Sequence, residues 1–185
     1  PESGNTLEQW QNRLIIIFQA FLNSHLYYQQ IRYIDTAGDE IIRVQVNYKG
    51  LVHIVEVNDL QSKSDSSYVS ETIKLQSGEA YYSDVNVNRE HGVIQQPHLP
   101  VLRLATPVHI KDRPVGLIVI NISTEKLFST INAEKNGTQR SIVDQRGYYL
   151  KHDNSQETFG FDLGFDYRLH NNEFFFFKQK TAYEI

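Results

Sequence analysis

Apolar residues recur every three or four positions near the start of the chain: Leu7, Trp10, Leu14, Ile17, Phe18 and Phe21. This spacing predicts a helix from Thr6 to about Leu26, with one apolar stripe. Thr6 and Gln9 supply a capping box at its start. Such a helix is about 30 Å long. Leu14 to Leu22 is apolar on more than one face, so the helix either covers only its own sheet or also meets a partner helix.

Beyond Leu26 the period changes to two. Tyr27 to Ile34 reads as a strand, Asp35 to Asp39 as a turn and Glu40 to Asn47 as a second strand. In the latter, Ile42, Val44 and Val46 face one way, with Arg43, Gln45 and Asn47 on the other, the alternation of a half-buried antiparallel strand. Tyr48-Lys49-Gly50 is a turn, and Leu51 to Val57 is a third strand or an extended segment. Asn58 to Ser67 is polar, and Tyr68 to Leu75 is expected to form a short helix or, failing that, an extended segment. Ala80 to Val87 and Val93 to Gln96 flank Asn88-Arg89-Glu90-His91-Gly92, read as a solvated hairpin loop. Pro97 and Pro100 mark an edge. Val101 to Ile110 and Val115 to Ile122 are strongly apolar strands joined by Lys111 to Pro114. A helix over Thr124 to Ala133 follows, capped by Ser123 or Thr124. Long helix, strands, short helix and more strands, with no regular strand–helix–strand crossovers, predict an α+β fold on an antiparallel sheet.

One pattern occurs twice. Ile34-Asp35-Thr36-Ala37-Gly38 is echoed by Val143-Asp144-Gln145-Arg146-Gly147, each followed by an apolar run. The Asp side chain bonds its own backbone two residues on, and the Gly takes a positive φ without steric cost. The two glycines lie about one small domain apart. The pair predicts either two tandem modules of related fold or two unrelated turns with common turn residues. Lys135-Asn136-Gly137 is the expected domain boundary, and Arg140 to His152 the second copy of the hairpin.

Composition narrows the field. The 185 residues are 40% hydrophobic and 22% charged, with net charge −4. This is an ordinary globular composition, without the clustered Lys and Arg that nucleic acid requires. There is no Cys, which removes disulfides and thiolate metal sites and is compatible with a bacterial periplasm. There is no Met and residue 1 is Pro, so the chain is expected to be a piece of a longer protein. Four Phe followed by KQKTAYEI fit neither strand nor helix, and residues 174–185 are expected to be a non-native tail.

Chemistry has few footholds. His25, His53, His91, His98, His109, His152 and His170 form no tight ligand pair, so no metal site is expected. No nucleophile elbow, phosphate loop or His-Glu-x-x-His occurs. A hydrolase using His91 or His98 with Glu90 is a further alternative. Arg103 interrupts an apolar strand and shares a face with Val101 and Ala105. A buried guanidinium needs an anionic partner, supplied either by a ligand or by an internal Asp or Glu.

IRYIDTAGDEIIRV, LQSKSDSSYVSETIKLQSGEAYYSDVNVNREHGVI and PVLRLATPV with PVGLIVINI together resemble the double-Cache sensors, tandem PAS-like modules of bacterial histidine kinases, diguanylate cyclases and chemoreceptors. GYYLKHDN with FGFDLG resembles the opening of their second module. The resemblance implies a spine helix over 1–26, a membrane-distal sensor domain with its connecting helix over 27–135, and a truncated membrane-proximal domain over 136–173. It places Tyr68, Tyr82, Asp84 and Arg89 around the pocket, with Arg103 as a further candidate. The amino-acid motif of some relatives includes a Trp that this stretch lacks, so those ligand roles are not carried over. The implied function is extracytoplasmic sensing of an unknown small molecule, without catalysis or cofactor, relayed to a cytoplasmic output module. The implied location is the periplasmic part of an inner-membrane protein, anchored by segments outside this piece, with a homodimer through the N-terminal helix. The rival is a periplasmic protein-interaction module without a small ligand.

Overall fold

The structure is a computed structural model, and it describes residues 6–129 and 141–169. The end of the expected helix beyond Ser129, the expected boundary at Lys135 to Gly137, and the tail from Phe174 lie outside the described residues. The chain divides into two compact units, Pro1–Ala133 and Glu134–Ile185.

Helix α1 spans Leu7–Ser24 and opens with the expected capping box. Thr6 Oγ1 accepts from the Gln9 amide at 3.3 Å, and Gln9 Oε1 accepts from the Thr6 amide at 2.9 Å. The apolar stripe splits in two. Phe18 and Leu22 are buried on the sheet, with Leu14 and Ile15 packed beside them, while Leu7, Trp10, Ile17 and Phe21 remain exposed.

The first unit carries β1 (Tyr28–Asp35), β2 (Glu40–Val46), β3 (Val52–Ile54), helix α2 (Ser67–Thr72), β4 (Tyr81–Tyr82), β5 (Asn86–Val87), β6 (Arg89–Glu90), β7 (Val93–Ile94), β8 (Pro100–Ile110), β9 (Arg113–Ser123) and α3 (Thr124–Ser129). The main sheet runs β3-β2-β1-β9-β8-β4, with β5 also on β8, and every pairing in it is antiparallel. This is the helix-backed antiparallel sheet that the α+β reading predicts. The loop expected over Asn88 to Gly92 is tighter than that: β6 pairs with β7, leaving only His91 and Gly92 between them.

Strand alternation gives the sheet two different faces. One carries Ile31, Ile42 and Val44 against Phe18 and Leu22 of α1. Each fully buried side chain of this size contributes about 1.5–3 kcal/mol. The other face carries Ile34, Ala105, Leu117 and Val119 against Tyr68 and Val69 of α2. Beside that apolar strip lies a polar row set by the register: His53 opposite Gln45, Gln45 opposite Gln30, Gln30 opposite Asn121, and Asn121 opposite Arg103.

The second unit opens with β10 (Ile142–Val143) and β11 (Tyr149–Lys151), followed by the short helix α4 (Gly160–Leu163). Tyr148, Phe159 and Phe161 cluster there, with the Arg146 guanidinium 4.5 Å from the Phe161 ring centre.

The two Asp-x-x-Gly turns have the same hydrogen bonds. Asp35 Oδ1 accepts from the amides of Ala37 and Asp39, and Asp144 Oδ1 from those of Arg146 and Tyr148. Gly38 donates to the Asp35 carbonyl and Gly147 to that of Asp144. The Gly38 carbonyl accepts from Lys63 N, and the Gly147 carbonyl from Leu169 N. Asn47 builds a third such turn, accepting from Lys49 and Leu51. Gly38 has φ +93°, and a Cβ there would sit 2.6 Å from the Ser64 Cα. Gly38→Ala is therefore expected to destabilise the first unit by about 2 kcal/mol or more, and Gly147→Ala, where the nearest atom is 3.4 Å away, by less. Thermal melts of the two variants compare the costs directly.

Candidate functional site

A cleft of about 610 Å³ opens between α2 with its preceding loop and the polar part of the sheet. Its walls include Arg32 from β1, Gln61, Lys63 and Asp65 from the loop, Tyr68 from α2, Asn86 from β5, Arg89 from β6, His91, and Arg103 from β8. Cationic side chains outnumber acids in this lining, where Arg32, Lys63, Arg89 and Arg103 face a single carboxylate, that of Asp65.

Behind the cleft lies a buried ion network. Arg32 is 1% exposed, and Glu40 and Arg43 are each 5% exposed. Glu40 Oε1 lies 3.1 Å from Arg32 Nε, and its Oε2 lies 3.1 Å from Arg43 Nη1. A second carboxylate, Glu90, reaches the same arginines from the β6–β7 hairpin. Its Oε1 accepts from Arg32 Nη2 at 3.1 Å, Gln30 Nε2 at 2.9 Å and Asn88 Nδ2 at 3.0 Å. Its Oε2 accepts from Arg43 Nη1 at 3.0 Å and Gln61 Nε2 at 2.7 Å, with Lys63 Nζ at 3.6 Å.

These partners set the ionisation of Glu90. Burial raises its pKa, but Arg32, the Gln30 amide, Arg43 and the Asn88 amide together outweigh burial and bring it from 4.5 down to about 2. Lys63 moves the other way for a cation. Burial lowers its pKa and Arg32 adds to the effect, against the pull of Glu90 and Glu40. Burial is the larger cause, so the Lys63 ammonium is held as a poorly hydrated cation beside Glu90.

Asn88, fully buried, joins the network to the cleft. Its Oδ1 accepts from Arg103 Nη2 and Asn121 Nδ2, both at 3.2 Å, and its Nδ2 also donates to Gln95 Oε1 at 2.8 Å. Arg103 additionally donates to Asn86 Oδ1 at 2.6 Å and lies over the Tyr68 ring, 5.6 Å from its centre. The Tyr68 hydroxyl is 3.5 Å from Arg32 Nη1.

Of the residues singled out in the sequence, Tyr68, Arg89 and Arg103 come together around the cleft, while Tyr82 and Asp84 are not among those lining it. Tyr81 pairs with Ala105 and packs on the α2 face; its neighbour Tyr82 points to the other side and is 64% exposed. Asp84 is exposed. Glu90, read as part of a solvated loop, is instead the hub of the buried network. Arg32, Arg43, Lys63, Gln61 and Asn121 were not singled out. The signal was present for two of them, because Arg32 and Asn121 interrupt apolar strands just as Arg103 does.

As a catalytic base Glu90 is poorly placed. A carboxyl held near a pKa of 2 by guanidinium groups takes up no proton near neutral pH. His98 is exposed, and the described residues contain no group of three or more His, Cys, Asp or Glu able to hold a metal. No described helix is long and apolar enough to cross a membrane.

The Glu90 shift makes stability depend on pH. A carboxyl whose pKa falls on folding contributes fully above its ordinary 4.5 and loses the contribution as pH falls toward about 2. The fall corresponds to about 3 kcal/mol. Denaturant melts between pH 6 and pH 2, values chosen at roughly either end of this range, are expected to show that loss. The Glu90→Gln variant is expected to be less stable at neutral pH, by about 3–5 kcal/mol, and to have a flatter profile below pH ~4.5.

The family described as "Bacterial histidine kinase, sensor domain" matches residues 5–173. No curated protein matches the sequence. Among solved structures, a domain assigned to a sensory box/GGDEF family protein from Vibrio parahaemolyticus is similar with TM-score 0.73 at 23% identity, covering 81% of this chain and 57% of that one. The extracellular domain of vpHK1S-Z8, assigned as a histidine kinase, gives TM-score 0.72 at 23% identity, covering 81% and 54%. The ligand-binding domain of the Campylobacter jejuni chemoreceptor Tlp3, solved with L-valine, gives TM-score 0.60 at 11% identity, covering 82% and 55%. At these identities the likeness is one of fold. The chain spans little more than half the length of each.

Proposed function

This chain belongs to the bacterial histidine kinase sensor-domain family, and we propose that its first unit detects a small anionic molecule outside the cytoplasmic membrane. The observation that carries the reading is the cleft against the polar half of the sheet, whose lining carries Arg32, Lys63, Arg89 and Arg103 beside one acidic residue, Asp65. Guanidinium and ammonium groups bind oxyanions through charge-assisted hydrogen bonds, and Tyr68 gives the wall an apolar surface with a polar tip. Tlp3 was solved with L-valine, whose carboxylate is a group of this type. Residues 27–135 then form the membrane-distal sensing domain and residues 136–173 the start of a proximal one. Segments outside this piece anchor the receptor in the inner membrane, with its sensing part in the periplasm and its output module in the cytoplasm. Ligand binding biases two arrangements of helix and sheet by the difference in its affinity for them. An interaction module without a small ligand is less well supported, because it leaves a cationic cleft of this size without a role.

Thermal-shift measurements on the chain with acetate, succinate, sulfate and phosphate, beside amines of matching size, test the reading. An anion at a hundredfold excess over its Kd is expected to raise the melting temperature by about 5 °C or more, with no rise from amines. Lys63→Met is expected to weaken that anion about tenfold. No response to any oxyanion sinks the proposal.

The exposed residues of α1 support a homodimer. Leu7, Trp10, Leu14, Ile17 and Phe21 are spaced three, four, three and four apart, the seam of a two-stranded coiled coil. All except Leu14 are exposed, while Phe18 and Leu22 are committed to the sheet. Sedimentation of the chain is expected to show a concentration-dependent dimer. The double variant Ile17→Glu, Phe21→Glu is expected to remain monomeric with its sheet intact by circular dichroism. A wild-type chain that stays monomeric at high concentration removes this part of the reading.

A further inference from the structure

We propose that the Glu90 carboxylate is a tethered competitor for the cleft's cations, holding from within the place that a small ligand oxyanion takes from outside. This rests on the anion-sensing reading and assigns Glu90 the regulation of that site.

Four observations carry it. Glu90 does not belong to the main sheet; it rides on the two-stranded β6–β7 hairpin. The buried arginines already have a carboxylate of their own, since each oxygen of Glu40 takes one guanidinium. Glu90 is thus a second anion on the same pair, supplied by a peripheral element. Two of its cationic partners, Arg32 at 3.1 Å and Lys63 at 3.6 Å, also line the cleft and face an incoming ligand. The remaining donors on Glu90 are the side-chain amides of Gln30, Gln61 and Asn88, so cations and neutral N–H groups converge on one oxyanion.

The Gln61 amide makes the arrangement a latch. Its Nε2 donates to Glu90 Oε2 at 2.7 Å, and its Oε1 accepts from the His91 backbone at 2.7 Å and from Lys63 Nζ at 2.8 Å. One side chain therefore ties the loop on one wall of the cleft to the hairpin on the other. An oxyanion that draws Arg32 and Lys63 toward itself weakens the hold on Glu90, and the hairpin loosens from the loop. The shared ligand chemistry is a small oxyanion, from either a carboxylate or a tetrahedral sulfate or phosphate source.

The test compares the wild-type chain with Glu90→Gln by thermal shift and titration against acetate, succinate, sulfate and inorganic phosphate. With the tethered anion neutralised, the effective oxyanion is expected to bind at least about tenfold tighter and to restore much of the melting temperature the variant has lost. A response confined to acetate and succinate assigns a carboxylate source, and one confined to sulfate and phosphate a tetrahedral one. If the variant does not fold alone, refolding with and without the oxyanion is the readout, and no anion-dependent recovery overturns the proposal. Hydrogen exchange adds a readout in the wild-type chain: the His91 amide is expected to exchange faster when the oxyanion is bound, and unchanged or slower exchange overturns the latch. If the wild type responds to an oxyanion and Glu90→Gln responds no more strongly, the inference falls and the anion-sensing reading stands. If neither responds, both fall.

Discussion

The first unit depends on a buried compensation of charge. Two arginines on adjacent strands, Arg32 and Arg43, occupy opposite positions on the inner face of the sheet. Two guanidinium groups so close repel each other in a medium of low dielectric, and neither has water to solvate it. Glu40 and Glu90 make the placement tolerable by bridging both. Everything around the cleft follows from that requirement. The hairpin is drawn in because it carries Glu90, and the loop is drawn in because Gln61 bonds to both acids, through its backbone to Glu40 and through its amide to Glu90.

Such a network is a weak source of stability and a strong source of specificity. Apolar residues of the same volume hold a sheet as well or better. Charged groups, however, favour the arrangement that pairs their charges and penalise the others. Asn88 illustrates the demand: both its side-chain oxygen and its nitrogen are occupied, by Arg103 and Asn121 on one side and by Glu90 and Gln95 on the other. A change at the Arg103 guanidinium is thus a change at an amide that also holds Glu90.

Local features of this chain were legible in its sequence, and long-range ones were not. The capping box at Thr6 and Gln9, the alternation along β2 and the turns at Asp35 and Asp144 depend on residues within a few positions of one another. The burial of Arg103 was legible because a charge interrupts an apolar strand. The same logic was available at Arg32 and Asn121, and at Arg43 it was masked. Polar residues alternating with Ile42, Val44 and Val46 read as a solvent face, and nothing local says that the loop before α2 and a hairpin cover it. Glu90 looked solvated because its neighbours are Arg89 and His91, while its partners lie far away in sequence, at Gln30, Arg32, Arg43 and Gln61. Tyr82 shows the limit of phase: Tyr81 and Tyr82 are adjacent, and only the pairing with Ala105 decides which one turns inward.

The same alternation links the cleft to α1 by a short physical route. Arg32 lies on the cleft face of β1, and its neighbours Ile31 and Tyr33 lie on the other face, in the cluster that holds Phe18 and Leu22. Close-packed side chains transmit displacement instead of absorbing it. A ligand that moves the Arg32 backbone therefore acts within one residue on the packing of α1. A ligand that alters only the hydrogen bonds of the Arg32 side chain leaves that packing unchanged. Signalling through the helix thus requires the bound state to differ in the path of β1, and the size of the response is bounded by the ligand's preference for that path over the unbound one.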